Sequence, residues 1–311
     1  WPERIQSSPA QPSNTIIMRI ISSASLQAQV HKAILGLDEA DLKRHLGIQR
    51  YKKAEMKLGL QRYLELALLF RMSGIGCMKA FWLVNKRASS NPEAFPSYQG
   101  FHKWMSRIGK LLLALLDMSL GQLGQRLGLV DSMKLPIGDC SRWIKSMGKD
   151  AGLGHSACGR YYGRKLHTLV DEQGVLLAYE LGPGNVDDRA PLKEGMLDGH
   201  RGLVYGDKGY INSELRHKLM AKGIELWARP KANMGFDTQD SFDYCRQFEA
   251  LHAKRYRKRL AVERYYARLK RSFGLSLLGL RSRRMADSYA AAAMLASQWL
   301  SLGLLEVESI V

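Results

Sequence analysis

The chain has 311 residues, 46% of them apolar, enough to bury one large core or two modest ones. Its formal charge of +18 and pI near 9.8 point to a polyanionic partner, most commonly nucleic acid, rather than to a neutral small-molecule enzyme. Four cysteines, Cys77, Cys140, Cys158 and Cys245, lie far apart with no CxxC pair, which argues against a zinc ribbon or disulfide framework and fits a reducing cytoplasm.

In chain order, Pro, Ser and Gln crowd the first fourteen positions, and Met18 is the first methionine. Residues 1–17 read as a flexible or non-native leader without the charged-then-apolar pattern of a signal peptide. From about Ser25 to Leu120, leucines and alanines recur at three- and four-residue spacing, so residues 18–122 are expected to form an all-α domain. Ala54 to Met72 is the clearest helix, Ser73–Gly76 breaks it, and Met78 to Asn85 resumes an apolar run. Asn91-Pro92 and Pro96-Ser97 mark a loop. The spacing then predicts one helix from Tyr98 to about Leu120, N-capped by Ser97, with His102, Lys103, Arg107 and Lys110 as candidates for DNA contact.

The pattern changes near Leu127. Leu127 to Asp131 reads as a short strand ending on a carboxylate, and Tyr161–Val170 and Val175–Leu181 as a hairpin turning at Asp171–Gly174. Asn185 reads as a turn residue, Asp187 to Leu197 as a short helix, and Asp188 and Arg189 as a pair or cap there. Gly202 to Asp207 is a second strand ending on a carboxylate, Asn212 caps a helix to Lys222, and Ile224–Ala228 is a fifth strand. This order suits a mixed α/β sheet with helices on both faces and ligands near the carboxyl ends of its strands. Tyr289 to Leu305 is uncharged over seventeen residues, but Ser297, Gln298 and Ser301 interrupt it. A buried core helix is expected there rather than a membrane span.

Glu263 is the only acid between His252 and Arg284, among twelve lysines and arginines. Tyr256, Arg259 and Lys270 lie seven and four residues before it and seven after, which on one continuous helix is a single narrow stripe. Such a face, with Asp131 and Asp207 from strand ends, makes an all-oxygen site suited to Mg²⁺ or Mn²⁺. Two such ions, roughly 3.5–4 Å apart, can activate an attacking hydroxyl and stabilise the leaving oxygen of a phosphodiester. Lys165 and His167 alternate on one strand and could approach the metal or a phosphate, although a core histidine fits equally. Lys208 should point away from Asp207 if its strand continues, in a structural or phosphate-steering role. Tyr265 and Tyr266 suit base stacking or simple packing. Lys254, Arg255, Arg257, Lys258, Arg264, Arg268 and Arg271 surround the helix and must in part face DNA or solvent.

Asp131-Ser132-x-x-Leu135-Pro136-Ile137, Tyr162-Gly163-x-Lys165-Leu166-His167, Gly182-Pro183-Gly184-Asn185-Val186-x-Asp188-Arg189 and Gly206-Asp207-Lys208-Gly209-Tyr210 together resemble DDE transposases of bacterial insertion sequences, in particular the insertion sequence 982 family. Arg229-Pro230-Lys231-Ala232-Asn233-Met234 is similar to that family's basic segment, and the Tyr256/Arg259/Glu263/Lys270 spacing to the signature around the last acid. Leu66–Leu83 and Ser97-Tyr98-x-x-Phe101 extend the likeness upstream. The resemblance implies a ribonuclease-H-like catalytic domain over residues 123–311, with C-terminal helices, behind a DNA-binding helical domain. It implies Asp131, Asp207 and Glu263 as ligands of probably paired Mg²⁺ or Mn²⁺ ions, with Tyr256, Arg259, Lys270, Lys165, His167 and Lys208 as DNA-contacting residues. It further implies nicking at transposon ends, attack of the freed 3′-hydroxyl on double-stranded target DNA, a homo-oligomer on DNA, and a bacterial cytoplasm near the nucleoid. Gly138-Asp139 before Cys140 departs from the pattern and makes Asp139 a rival first ligand. A nuclease that cuts without joining, a non-catalytic domesticated DNA-binding copy, and a basic nucleic-acid coat protein are the alternatives.

Overall fold

The computed structural model describes residues 24–37, 57–138, 150–156, 159–231, 238–276 and 283–305. Residues 1–17, Asp139, Cys140, Cys158 and Ala232–Met234 therefore lie outside the described residues. Among those described, five helices come first: α1 (Ala24–Leu35), α2 (Leu60–Met72), α3 (Met78–Ala88), α4 (Tyr98–Arg107) and α5 (Gly109–Ser119). α2 starts later than the apolar spacing suggests, because Gly59 has an extended ψ of 158°. Ser97 caps α4 as expected, its Oγ accepting from the Gly100 N–H at 3.2 Å. The long helix expected from Tyr98 is instead two, broken at Ile108. Gly109 follows the break and lets α5 press against the C-terminal helix, where a Cβ would stand 3.0 Å from Ser288 N.

Six strands form one mixed sheet: β1 (Gly128–Gly138), β2 (Gly152–Ser156), β3 (Gly159–Val170), β4 (Leu176–Pro183), β5 (Gly202–Gly206) and β6 (Ile224–Ala228). The order is β2-β3-β1-β5-β6, and β4 shares the outer edge of β3 with β2. β1 does not stop at Asp131 as its apolar run suggests. Antiparallel pairing with β3, from Leu129↔Val170 to Gly138↔Tyr162, carries it on. β2 has no counterpart among the expected strands, since Gly152-Leu-Gly-His-Ser lacks apolar alternation. Its place depends on Gly154, where a Cβ would lie 2.4 Å from the Gly184 carbonyl oxygen. The β3–β4 hairpin turns as expected, with Asp171 Oδ1 accepting from the Gln173 and Val175 N–H groups.

Helices cover both faces, so the sheet has the ribonuclease-H-like arrangement expected for a DDE catalytic domain. On one face, α6 (Ala190–Glu194) and α7 (Ser213–Met220) bring Leu192, Leu215 and Leu219 against Val130, Leu169, Val204 and Leu226. Asn212 caps α7 through the Leu215 N–H at 2.7 Å. The other face meets a chain of helical segments: α8 (Gln239–Gln247), a π turn (Phe248–His252), α9 (Ala253–Tyr256), a 3-10 turn (Arg257–Arg259) and α10 (Leu260–Arg271). The last helix, α11 (Arg283–Ser301), is buried along most of its length and packs on α2, α4 and α5. Tyr289 onward is thus a core helix, and no helix among the described residues is long and apolar enough to cross a membrane.

Apolar packing runs without a break from the N-terminal helices into the sheet. Two buried polar side chains join the layers. Arg71 of α2 donates to the Phe273 carbonyl just after α10, its Nε at 2.9 Å. Gln298 of α11 is fully buried, donating to the Ser119 and Leu176 carbonyls and accepting from the Leu176 N–H at 2.8 Å. Gln298→Leu would fill the volume but orphan that N–H, a loss of about 2–4 kcal/mol. Chemical denaturation should show the midpoint falling by that amount, whereas a surface Gln→Leu control should stay near wild type.

Candidate active site

The site begins where the sheet comes apart. β1 and β5 run parallel and pair at only two positions, Gly128↔Val204 and Leu129↔Tyr205. Beyond them β1 stays with β3, while β5 ends at Gly206. Asp131 and Asp207 each sit two residues past the last pair, so the two carboxylates flank the opening. Asp131 is held from both ends. Its Oδ1 accepts from the Ser132 N–H at 2.8 Å, and its backbone carbonyl accepts from the Tyr266 hydroxyl at 2.6 Å.

The helical chain closes the third side. The Tyr256 hydroxyl donates to the Gly206 carbonyl at 2.9 Å. Arg259 reaches both remaining acids: Nη2 to Asp131 Oδ2 at 2.7 Å and Nη1 to Glu263 Oε1 at 2.8 Å. The stripe expected on one continuous helix is therefore divided, because the 3-10 turn Arg257–Arg259 separates Tyr256 from α10. Tyr256 faces the end of β5, Arg259 faces β1, and the Glu263 side chain is 52% exposed. Lys270 is half-buried further along α10. A cavity of about 700 Å³ opens beside Asp207, walled by Lys208, Arg229, Pro230, Lys231, Tyr256 and Arg259.

The charges here are crowded. Burial pushes the Asp131 carboxyl up to about 6; Arg259 and the Ser132 N–H pull it down, and Asp207 and Asp188 push it further up. Burial works against the Arg259 charge, but Asp131, Tyr256, Asp207 and Glu263 outweigh it and hold the guanidinium more firmly charged than usual.

The remaining candidates are distributed around this centre. Lys208 does not extend a strand, because β5 has already ended; it is exposed and lines the cavity. Lys165 is turned inward, donating to the Val186 carbonyl at 2.7 Å with Asp188 Oδ1 at 3.1 Å. His167 is fully buried, with neither ring nitrogen hydrogen-bonded among the described residues, and burial pulls its pKa down to about 4. A neutral ring with no exposed surface touches no DNA in this arrangement. Arg189 pairs with Asp187 rather than with Asp188. Tyr265 and Tyr266 are both buried as packing residues, so neither is free to stack on a base. In the helical region His102, Lys103 and Lys110 are exposed, while Arg107 lies over the Trp104 ring. Sequence reasoning missed Tyr210, whose ring packs under Asp207. The signal available was its position three residues after that acid, with Gly206 leaving room for the ring.

An all-oxygen donor set whose members raise one another's proton affinity fits a hard divalent cation in kind. At present the Arg259 guanidinium is the cation between Asp131 and Glu263. Among the described residues no three His, Cys, Asp or Glu side chains are grouped closely enough to hold a metal ion. Arg259 must leave Asp131 before an ion can take its place.

Residues 123–273, which include all three acids, match the family model described as a transposase DDE domain. A search of curated proteins gives no match to the chain. The family match supports a DDE transposase and hence an enzyme.

The raised Asp131 pKa has a sign that can be checked. A proton held more tightly when folded stabilises the native state below the unfolded value of 3.8, and that contribution is lost as pH rises through about 6. Asp131→Asn removes the dependence. Urea denaturation from pH 4 to 7 should show wild type losing up to about 3 kcal/mol relative to the variant. A difference that is flat or grows with pH would contradict it.

Proposed function

We propose that the protein is a DNA transposase that cleaves the ends of an insertion sequence and joins the freed 3′-hydroxyl to target DNA, with Asp131, Asp207 and Glu263 as the catalytic acids. The observation that carries this reading is the placement of Asp131 and Asp207 at matching positions on either side of the β1–β5 opening, with Arg259 joining Asp131 to Glu263. Likeness to the insertion sequence 982 family remains part of the proposal.

Asp131, Asp207 and Glu263 would hold Mg²⁺ or Mn²⁺, as a pair of ions. Bound there, the metal supplies Lewis-acid stabilisation of the attacking and leaving oxygens of an in-line displacement. The rest falls to the chain. Lys208, Arg229 and Lys231 present positive charge on the cavity wall and bind backbone phosphates beside Asp207. Arg259 transfers from Asp131 to a phosphate oxygen, which frees Asp131 Oδ2 and fixes the strand with a planar fork of donors. Tyr256 keeps the β5 end in place through Gly206, and so keeps Asp207 at the cavity mouth. The exposed cations Lys254, Arg255, Arg257, Lys258, Arg264 and Arg271 extend the phosphate-binding surface, giving affinity without sequence information. Reading of the ends falls to residues 18–122, with His102, Lys103 and Lys110 on the exposed side of α4 and α5. Joining two ends requires at least two copies on the DNA.

Incubating the protein with its flanking inverted repeats, Mg²⁺ and a plasmid target tests the reading: nicked ends and joined product are expected. Asp207→Asn keeps the side-chain shape while removing several kcal/mol of charge stabilisation, so cleavage should fall on the order of 10³-fold with DNA affinity unchanged. Cleavage without joined product would favour a nuclease. Equal behaviour of wild type and variant would mean a DNA-binding protein without catalysis.

A further inference from the structure

Tyr210 ends the 3-10 turn that follows Asp207, and its N–H donates to the Asp207 carbonyl at 2.8 Å. The turn folds the ring back under the end of β5, so close that a Cβ on Gly206 would meet it at 3.0 Å. The residue is only 2% exposed, yet its hydroxyl has no hydrogen-bond partner among the described residues. Buried hydroxyls are normally paired, and one that is not calls for a partner in another state. Burial above all, then the charges of Asp131 and Asp188, raise its pKa well above the usual range, so it stays a proton donor.

Asp188 is the second group without a role so far. It follows β4, with Lys165 Nζ at 3.1 Å and His167 Nδ1 at 4.0 Å from its Oδ1. Its charge acts on Asp131 from a side other than that of Arg259's element. Asp131, Asp188 and Asp207 thus all bear on one orphaned hydroxyl.

Resting on the assignment of Asp131 and Asp207 to the catalytic centre, we propose that Tyr210 and Asp188 are its positioning residues. The Tyr210 hydroxyl takes over Asp131 as hydrogen-bond donor once Arg259 turns to a phosphate, and Asp188 adds a fourth negative charge that draws a divalent cation into the cleft. A tyrosine kept only for packing needs its ring; this role needs its oxygen.

The test uses the full chain with Mn²⁺ as probe, in the presence of duplex DNA, reading free Mn²⁺ by electron paramagnetic resonance and unfolding by thermal melts. Tyr210→Phe loses no hydrogen bond of the metal-free protein, so it should melt at or above the wild-type temperature. Its Mn²⁺ affinity should nevertheless fall about 10-fold, the lower end of what lost outer-shell partners cost a metal site. Asp188→Asn should weaken Mn²⁺ binding similarly and Asp188→Glu should restore most of it. Wild-type Mn²⁺ affinity in both Tyr210→Phe and Asp188→Asn overturns the proposal, as does a lowered melting temperature of Tyr210→Phe with no change in Mn²⁺ binding. Asp207→Asn, run in parallel, separates the two levels. If it loses Mn²⁺ while the others do not, the acid centre stands and this proposal alone falls; if it too binds as wild type, the centre itself fails.

Discussion

Two strands that agree for two residues and then part company set the geometry of this molecule. Had β1 and β5 stayed paired beyond Leu129 and Tyr205, Asp131 and Asp207 would stand side by side in a closed ladder. Because β1 is bound to β3 along nearly its whole length, it cannot follow β5, and the sheet opens at the carboxyl ends of both. Two carboxylates at the lip of a partly buried gap repel one another, and the structure answers with Arg259. Two tyrosine hydroxyls, of Tyr256 and Tyr266, pin the backbone on either side by donating to the Gly206 and Asp131 carbonyls. The acids are therefore presented by main chain that cannot readily relax away from the strain of their charges.

Much of this was readable in the residue order. Strands with continuous apolar runs, such as Gly202–Gly206 and Ile224–Ala228, lie where their composition places them, as do the caps Ser97 and Asn212. What could not be read depends on partners remote in sequence. β1 extends past Asp131 because β3 pairs with it, not because Lys134 or Pro136 favours a strand. β2 exists because Gly184 has somewhere to put its carbonyl. Lys165 and His167 look like ligands in a linear pattern, but strand alternation says only which face they share; the loop carrying Val186 and Asp188 then covers that face. Arg259 was visible as a neighbour of Glu263, while its stronger tie to Asp131, 128 residues away, was not.

The +18 charge is unevenly used. Arg71, Arg164 and Arg268 are turned inward: to the Phe273 carbonyl, to Asp287, and to Ser301. These cations act as connectors between layers, and burial pulls Arg71 and Arg164 down to about 10 without discharging them at neutral pH. The exposed cations instead gather around Asp207 and along the segment leading to Glu263. Sign and position separate structure from recognition here: an arginine with a carbonyl to serve holds the fold, and one facing open space serves a polyanion.

The tight turn at Arg257–Arg259 has a mechanical corollary. A 3-10 residue advances about 120° around the axis and an α residue about 100°, so three residues of this turn add about 60° of rotation between Tyr256 and everything after it. Interconversion of the two windings would swivel the guanidinium at position 259 about the helix axis with little change in the position of that axis. The basic segment thus contains a torsional joint, placed one step before the side chain that has to let go.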